Sequence, residues 1–180
     1  MGVRWLLVCA ALVLGAARGQ EAPVPPPEGQ PAVEEVEEGA FLKLLENHPK
    51  GLWAFFPALE DEKVAEALRR RAMKGRPLVL LFPEAEVHNP VSYSNTFFLG
   101  QLVWRNVRVK HLSLKATGEE PIYILEGVGV FVGRRKVPEK EAGTYIAWWQ
   151  QAWRGGKSYD PLSFARDIYL EPRRARGRQD

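Results

Sequence analysis

Two short apolar runs, separated by an amphipathic segment, constrain the fold of this chain most strongly. They occupy residues 52–56 and 78–82, and a proline closes each of them. Runs of about five apolar residues bounded by breakers are typical of buried strands. Residues 60–74 lie between the runs, carry an apolar residue at every fourth position and are followed by Gly75. That spacing, with a glycine just past its end, predicts a helix. The pattern therefore predicts a strand–helix–strand unit.

The remaining periodic segments extend this unit into an α/β fold. Further helices are predicted over residues 33–47, which Gly39 weakens, over 96–105 with Ser94 or Asn95 as cap, and over 139–153. Further strands are predicted over residues 107–114, 122–125 and 130–132, the last two joined by a tight turn at 126–129. Because a hairpin is antiparallel, the sequence predicts a mixed β-sheet with helices packed on its faces.

The first nineteen residues have the pattern of a targeting segment. Arg4 supplies one positive charge, residues 5–17 are uncharged and rich in Leu, Val and Ala, and small residues follow around Ala17 and Gly19. This order predicts a secretory signal peptide over residues 1–19. The alternative is an uncleaved membrane anchor, although the run is shorter than the roughly 20 apolar residues that span a bilayer. We therefore expect an exported protein that is periplasmic, secreted or associated with the cell envelope.

Charge and proline content divide the rest of the chain. Residues 20–39 hold six glutamates and no basic residue, and five prolines lie within residues 20–31, as in an extended linker. Residues 40–170 form the predicted domain. Residues 171–180 hold four arginines and form a predicted basic, disordered tail, whose alternative role is contact with an anionic surface. Because basic and acidic residues are segregated, the net charge of +3 does not indicate a nucleic-acid binder.

Several kinds of chemistry are excluded or disfavoured by residue type. Cys9 is the one cysteine of the chain, which rules out an internal disulfide and a cysteine zinc site. The three histidines are not spaced for a metal, and no glycine-rich phosphate loop is present. His48 with Pro49 is interpreted as a helix end, His88 as a turn residue and His111 as an exposed strand residue. No cofactor and no metal site are predicted.

The stretch from Trp53 to Trp153 resembles one phospholipase D-like domain. The resemblance depends on the order of elements: a strand ending at an aromatic, the helix EKVAEALRRRAMKG, the strand PLVLLF, a helix, the strand NVRVKHL, a hairpin, and a closing helix YIAWWQQAW. In active members the hairpin carries His-x-Lys, four residues, Asp-Gly, and an apolar strand that ends in Gly-Ser. The resemblance implies phosphodiester chemistry on a histidine nucleophile, with lysines holding the phosphoryl oxygens.

The catalytic residues of that motif are replaced in this chain. With Gly133 as the anchor, Glu126 takes the aspartate position, Glu119 the first histidine position and Pro121 the lysine position, and Arg134 replaces the serine. The family site also needs two such motifs. The resemblance therefore implies a degenerate, single-domain member that lacks the His-x-Lys-x4-Asp motif.

Two charged groups remain as candidate sites. Glu119, Glu120 and Glu126 are compatible with a metal site or an acid–base pair, but a polar turn explains them better. Arg134, Arg135 and Lys136 follow the hairpin and are weak candidates for anion binding, with a solvated basic turn as the alternative.

The aromatic residues of the last helix are interpreted as core. Tyr145, Trp149 and Trp153 share one stripe at helical spacing and are expected to be buried against the sheet. Trp148 lies off that stripe and is expected to contribute less.

Three classes of function remain open from the sequence. The favoured interpretation is an exported, non-catalytic phospholipase D-like domain with a binding or scaffolding role in the cell envelope, with a protein partner or as a homodimer. The alternative is a phosphodiesterase or nuclease of that family with a non-standard active site. A plain structural protein of the envelope is the third class.

Overall fold

The computed structural model describes residues 34–84, 86, 89–102, 106–112 and 120–158. The elements in chain order are β1 (Glu34–Glu35), α1 (Glu38–Asn47), β2 (Leu52–Phe55), α2 (Glu62–Met73), β3 (Leu78–Pro83), α3 (Pro90–Gly100), β4 (Val107–Leu112), β5 (Ile122–Leu125), β6 (Gly129–Val132), β7 (Arg135–Lys136), α4 (Glu139–Gly155) and β8 (Lys157–Ser158).

The described strands form one mixed sheet of eight, in the order β1-β7-β6-β5-β2-β3-β4-β8. Strands β2, β3 and β4 are parallel neighbours, linked by α2 and α3. The other pairs are antiparallel, including the β5–β6 hairpin. The predicted fold class, an α/β fold with a mixed sheet and helices on its faces, is confirmed.

Side chains alternate between two apolar layers along the central strands. From β2 onwards, Leu52, Ala54 and Phe56 enter the layer under α1, α2 and α3. Trp53 and Phe55 point to the other layer, which α4 covers. Each central strand is therefore buried on both faces, which is why the sequence shows continuous apolar runs there rather than alternation.

The helix predicted between the first two strands is confirmed, and its ends have clear causes. Asp61 Oδ1 accepts hydrogen bonds of 2.8 and 3.1 Å from the amides of Lys63 and Val64, which begins α2. Gly75 follows the end of α2 with a φ of +71°, a conformation that glycine adopts without strain.

The predicted start of the third helix was wrong. α3 begins at Pro90 rather than Thr96, and Asn89 is its cap, accepting from the amides of Val91 and Ser92 at 3.1 Å. Proline suits the first helical turn because its missing amide hydrogen has no partner there anyway. The asparagine–proline pair was therefore the start signal of this helix.

The first half of the helix predicted over residues 33–47 was also wrong. Glu34–Glu35 is strand β1, which pairs antiparallel with β7. The helix itself begins at Glu38, because the carboxylate of Glu37 accepts from the amides of Gly39 and Ala40 at 2.8 and 2.7 Å. Gly39 therefore lies in the first turn of α1 and not in the middle of a longer helix.

The aromatic face of α4 is wider than predicted. Trp148 and Trp149 are both 5% exposed, whereas Tyr145 and Trp153 are only half-buried. Trp148 packs edge-on against Phe55 with ring centroids 5.2 Å apart. The expectation that Trp148 is peripheral was therefore wrong, because two adjacent tryptophans can both reach a broad sheet surface.

Arg71 of α2 is fully buried on the sheet face that α1, α2 and α3 cover. Its guanidinium donates to the carbonyls of Leu45 and His48 at 3.0 and 2.9 Å, to that of Pro77 at 3.1 Å, and to that of Lys50. One side chain thus fixes the end of α1 and the starts of β2 and β3 relative to α2.

The predicted signal peptide, tail and most of the linker lie outside the described residues. Among the helices that the structure describes, none combines the length and the apolar character needed to cross a membrane.

Candidate functional site

The β5–β6 hairpin sets the positions of the predicted site residues. Ile122 pairs with Val132 and Leu125 with Gly129, so the chain turns at residues 126–128. The predicted tight turn is confirmed, except that Gly129, which the sequence placed in the turn, begins β6. The start of β5 therefore lies beside the end of β6, and the turn lies at the other end of the ladder.

The candidate motif positions lie at opposite ends of this hairpin. Pro121 precedes β5, and its carbonyl accepts a 2.8 Å hydrogen bond from the Gly133 amide. Glu126 begins the turn, which places it about 16 Å from Pro121 along an extended strand. Glu119 lies outside the described residues. Pro121 and Glu126 are therefore too far apart to contact one small group.

A cavity of about 450 Å³ opens near the carboxyl end of β2, beside Pro121 and Gly133. We call it the carboxyl-end cavity. Its charged lining consists of Glu35, Glu38, Glu60, Asp61, Glu120, Arg134 and Arg135. Five carboxylates and two guanidinium groups therefore share this space.

Both arginines of the carboxyl-end cavity are paired with carboxylates. Arg134 Nη2 lies 2.7 Å from Glu35 Oε1, and Arg135 Nη2 pairs with Glu120. Lys136, the third predicted anion-binding residue, lines a different cavity on the α4 side of the sheet. The structure thus does not bring the three basic residues together, and their anion-binding role stays a prediction.

The other three carboxylates of the cavity also have partners. Glu38 forms a 2.5 Å ion pair with Lys63. Asp61 caps α2, and Glu60 accepts from the side-chain amide of Asn89. Within the described ranges, no group of three or more His, Cys, Asp or Glu side chains is arranged to hold a metal ion.

Tyr123 contributes the phenol of the carboxyl-end cavity. It is 2% exposed, and burial, followed by the negative charge of Asp61, raises the pKa of its hydroxyl above the ordinary value of 10. The hydroxyl therefore stays protonated at neutral pH. It can donate a hydrogen bond there, but it is a poor nucleophile.

The turn of the hairpin lies against His48 and Gly51. His48 Nε2 is 2.9 Å from the carbonyl oxygen of Glu126, and Glu126 Oε2 accepts from the Gly51 amide at 3.2 Å. The interpretation of His48 as a helix end is confirmed, since α1 ends at Asn47. The sequence did not predict its contact with Glu126, because 78 positions separate the two residues.

The sequence did not predict a buried polar cluster that lies at the ends of β3 and β4. Glu86 accepts hydrogen bonds from the hydroxyls of Ser92 and Thr96, and its other oxygen lies 3.7 Å from His111 Nε2. His111 is 4% exposed, so its predicted exposure was wrong. Its charged neighbour Lys110 suggested an exposed position, whereas this end of β4 is covered.

The composition of this cluster resembles a hydrolytic triad, but its connections do not. The Ser92 hydroxyl donates to Glu86 and accepts a 2.6 Å hydrogen bond from the Leu59 amide. A nucleophilic serine instead donates to an imidazole that can take its proton. Ser92 is also fully buried. The cluster therefore fixes the β3–α3 connection to the sheet.

Comparison with solved structures identifies proteins of similar fold. No family model and no curated protein matches the chain. Among solved structures it is similar to Nuc of Salmonella typhimurium, a phospholipase D family member, with a TM-score of 0.54 and 13% identity over 67% of this chain and 89% of that one. It is also similar to NucT of Helicobacter pylori, with a TM-score of 0.51 and 16% identity over the same shares. The described residues therefore have an α/β phospholipase D-like fold.

Proposed function

We propose that this chain is an exported, non-catalytic phospholipase D-like domain with a binding or scaffolding role in the cell envelope. The observation that carries the proposal is the pairing of both arginines in the carboxyl-end cavity with carboxylates. A phosphodiester site needs cationic groups that are free to hold the phosphoryl oxygens.

The charge of the carboxyl-end cavity opposes an anionic substrate. Its five carboxylates outnumber its two guanidinium groups. Like charges within a few ångströms repel, and the repulsion grows where the wall is partly buried. A phosphate entering this cavity would have to displace Glu35 from Arg134 or Glu120 from Arg135.

The cavity also lacks the groups for nucleophilic catalysis within the described part of the chain. Proline at position 121 offers no cation. His48 lies at the turn end of the hairpin, and His111 lies buried beside Glu86. Neither imidazole lines the cavity. A binding role needs only a surface, and this one carries ion pairs that a protein partner or a second copy could contact.

The first experiment offers the purified protein bis(4-nitrophenyl) phosphate and DNA, with and without divalent metal ions. We expect no turnover above the buffer rate. Turnover that is abolished by Arg134→Ala and retained by Lys157→Ala would sink the proposal in favour of a phosphodiesterase with a non-standard site. Lys157 is a suitable control because it too is ion-paired, with Glu84 at 2.9 Å, far from the cavity.

The second experiment tests whether the paired arginines are available to an anion. Calorimetry measures the binding of dimethyl phosphate. We expect no saturable binding to the unmodified protein. The double variant Glu35→Gln with Glu120→Gln frees both arginines and should gain weak binding. The matched control, Glu84→Gln, frees Lys157 instead and should gain none. Binding to the unmodified protein that equals the double variant would show that the arginines are already available.

The export part of the proposal depends on residues 1–19. N-terminal sequencing of exported material should begin at Arg18 or Gln20, because the small residues Ala17 and Gly19 that precede them suit cleavage. A chain that retains Met1 would instead be tethered to the membrane by an uncleaved anchor.

A further inference from the structure

The carboxyl-end cavity keeps an excess of negative charge after its ion pairs are counted. Three of its five carboxylates are ion-paired, two with its own arginines and one with Lys63. The other two, Glu60 and Asp61, accept hydrogen bonds from neutral groups: the side-chain amide of Asn89 and two backbone amides at the start of α2. Glu60 and Asp61 therefore carry charge that no ion pair within the described residues neutralises.

A buried phenol with an unused hydroxyl lies beside these two carboxylates. Tyr123 is 2% exposed and lines the cavity. Its hydroxyl forms no hydrogen bond with the described residues, yet it is not sealed from the open space as the indole nitrogen of Trp149 is. Burial, and then the negative charge of Asp61, raises the pKa of this phenol, so the Asp61 carboxylate lies within electrostatic range of it. Because buried polar groups are nearly always hydrogen-bonded, the hydroxyl is available to a group that enters the cavity.

The inner wall of the cavity is apolar and closely packed. Phe41, Phe56 and Leu59 line it, and each of them is at most 2% exposed. The Tyr123 ring lies edge-on to Phe41 and Phe56, with ring centroids 5.1 and 5.4 Å away. This packing fixes the direction in which the phenol oxygen points. The cavity thus combines an apolar wall with the oxygen atoms of one phenol and two carboxylates.

This combination suits an alkylammonium ion better than an anion or a metal ion. An anion would meet the excess of negative charge. A calcium or magnesium ion takes about six or more oxygen ligands, and the described residues hold no cluster arranged for a metal ion. A primary ammonium group instead offers three hydrogen-bond donors, and its alkyl stem can lie along an apolar wall while the charged end meets carboxylates.

We propose that the carboxyl-end cavity binds a primary ammonium group at the end of an unbranched alkyl stem, with Glu60, Asp61 and the hydroxyl of Tyr123 as its acceptors. The cavity volume of about 450 Å³ is sufficient for one such chain. A lysine side chain of a protein partner and a free aliphatic amine both carry this group. The inference rests on the proposed binding role and deepens it, because it names the chemistry that a ligand presents to this face.

The first test measures the binding of monodansylcadaverine to the full chain by fluorescence anisotropy at neutral pH. This probe carries a primary ammonium on a five-carbon stem, and we expect saturable binding. The N-pentyl dansylamide analogue has the same fluorophore and stem without the ammonium, and should bind at least about tenfold more weakly, since hydrogen bonds to charged groups are the stronger kind. Equal binding of the two probes, or no saturable binding of the first, would overturn the site.

The second test removes one charge without removing the helix cap. Asp61→Asn keeps a side-chain oxygen that can accept from the amides of Lys63 and Val64, so α2 should still fold. We expect monodansylcadaverine to bind at least about tenfold more weakly to this variant. Glu62→Gln is the matched control, because Glu62 is exposed and does not line the cavity, and it should change binding by less than about twofold. Equal losses in the two variants would reduce the site to general electrostatic attraction and overturn it.

The third test isolates the hydroxyl. Tyr123→Phe keeps the ring packed against Phe41 and Phe56 and removes the oxygen, and should weaken binding of the probe about fivefold. Tyr145→Phe removes a hydroxyl on the α4 face, outside the cavity, and should leave binding unchanged. A loss in Tyr123→Phe no larger than in Tyr145→Phe would overturn the role of the hydroxyl.

Competition distinguishes the two sources of the ammonium group. Displacement of the probe by the capped tripeptide acetyl-Gly-Lys-Gly-amide at least as readily as by free cadaverine would support a lysine of a protein partner. Displacement by cadaverine at about tenfold lower concentration would support a free amine, and no displacement by either would overturn the site. Failure of these binding tests leaves the proposed lack of phosphodiesterase activity untouched, because turnover is measured separately.

Discussion

The two faces of the sheet are covered by different means. The face under α1, α2 and α3 contains buried polar anchors: Arg71 with four carbonyl partners, and Glu86 with two hydroxyls. The other face is covered in the described structure by α4, whose contribution is aromatic, with Trp149 stacked on Trp153 at 5.3 Å. One face is thus fixed by hydrogen bonds to buried polar side chains. The other is fixed mainly by aromatic packing, with one hydrogen bond of 2.9 Å from Lys110 Nζ to the Trp153 carbonyl.

The difference explains where the larger of the two cavities lies. Hydrogen-bonded anchors fix the positions of three helices and draw them close to the sheet. A single aromatic helix can cover the centre of a broad sheet but not its whole width. The cavity beside α4, of about 820 Å³, lies on the face without such buried polar side chains, whereas the carboxyl-end cavity on the other face has about 450 Å³.

Removal of Arg71 should produce the largest loss of stability. Arg71→Ala leaves four carbonyls without their donor, and we expect a loss of about 4 kcal/mol in the free energy of unfolding. Burial, and then the positive charge of Arg76, lowers the pKa of this guanidinium to about 10, which reflects how dry the site is. Urea denaturation measures the loss.

Arg70→Ala is the matched control on the same helix. Its side chain is 61% exposed and pairs with Glu66, so its loss should stay within about 0.5 kcal/mol. If the Arg71 variant lost no more than this control, the polar anchor would not be what distinguishes its face.

Truncation of the tryptophans tests the packing on the α4 face. Trp148→Ala should cost about 3 kcal/mol, nearly the same as Trp149→Ala, because both side chains are 5% exposed. Thermal or urea unfolding of the two variants gives the comparison. A loss for Trp148 below half of that for Trp149 would restore the narrower helix face that the sequence predicted.

Substitutions in the polar cluster of Glu86, Ser92 and Thr96 should reduce stability less than truncation of the tryptophans. Ser92→Ala removes the acceptor of the Leu59 amide and one donor to Glu86, and we expect a loss of about 2 kcal/mol. Ser94→Ala, on the exposed side of the same helix, should change stability by less than about 0.5 kcal/mol. Equal effects in the two variants would mean that the cluster does not hold α3.

The smallest predicted effect is a loss of folding stability that appears only at alkaline pH and arises from Tyr123. Because the pKa of Tyr123 is raised in the folded state, the unfolded chain ionises first, near pH 10. The stability contributed by this group is full below pH 10 and falls by about 1.4 kcal/mol per pH unit above it. Tyr123→Phe should remove that part of the alkaline loss. Unfolding curves with equal slopes above pH 10 for both proteins would contradict the buried, neutral phenol.

Much of the fold could be predicted because its signals are local. The apolar runs of β2 and β3, the cap and glycine around α2, and the tight turn between β5 and β6 are all encoded within a few residues. The errors arose where tertiary burial overrides local pattern. His111 follows a charged neighbour in β4 yet is covered, and Trp148 is off the predicted stripe yet reaches the sheet.

The candidate sites could be predicted far less well, since their contacts are distant in the sequence. The Arg134–Glu35 pair joins residues 99 positions apart, and Arg71 reaches Leu45 across 26. Neither the periodicity nor the spacing of residues in the sequence predicts such pairs. The positions of Glu126 and Pro121 on the hairpin could be predicted, but not which side chains would surround them.

Ladders of only two residues, β1 with β7 and β4 with β8, form the opposite edges of the sheet, and the neighbouring β6–β7 ladder is equally short. The described chain therefore enters at one edge and leaves at the other, about 34 Å away across eight strands. A mechanical pull on the two ends loads the two-residue edge ladders first, ahead of the four- and six-residue pairings that join β6, β5, β2, β3 and β4. Under tension the protein should lengthen by releasing its edges while its central strands remain folded.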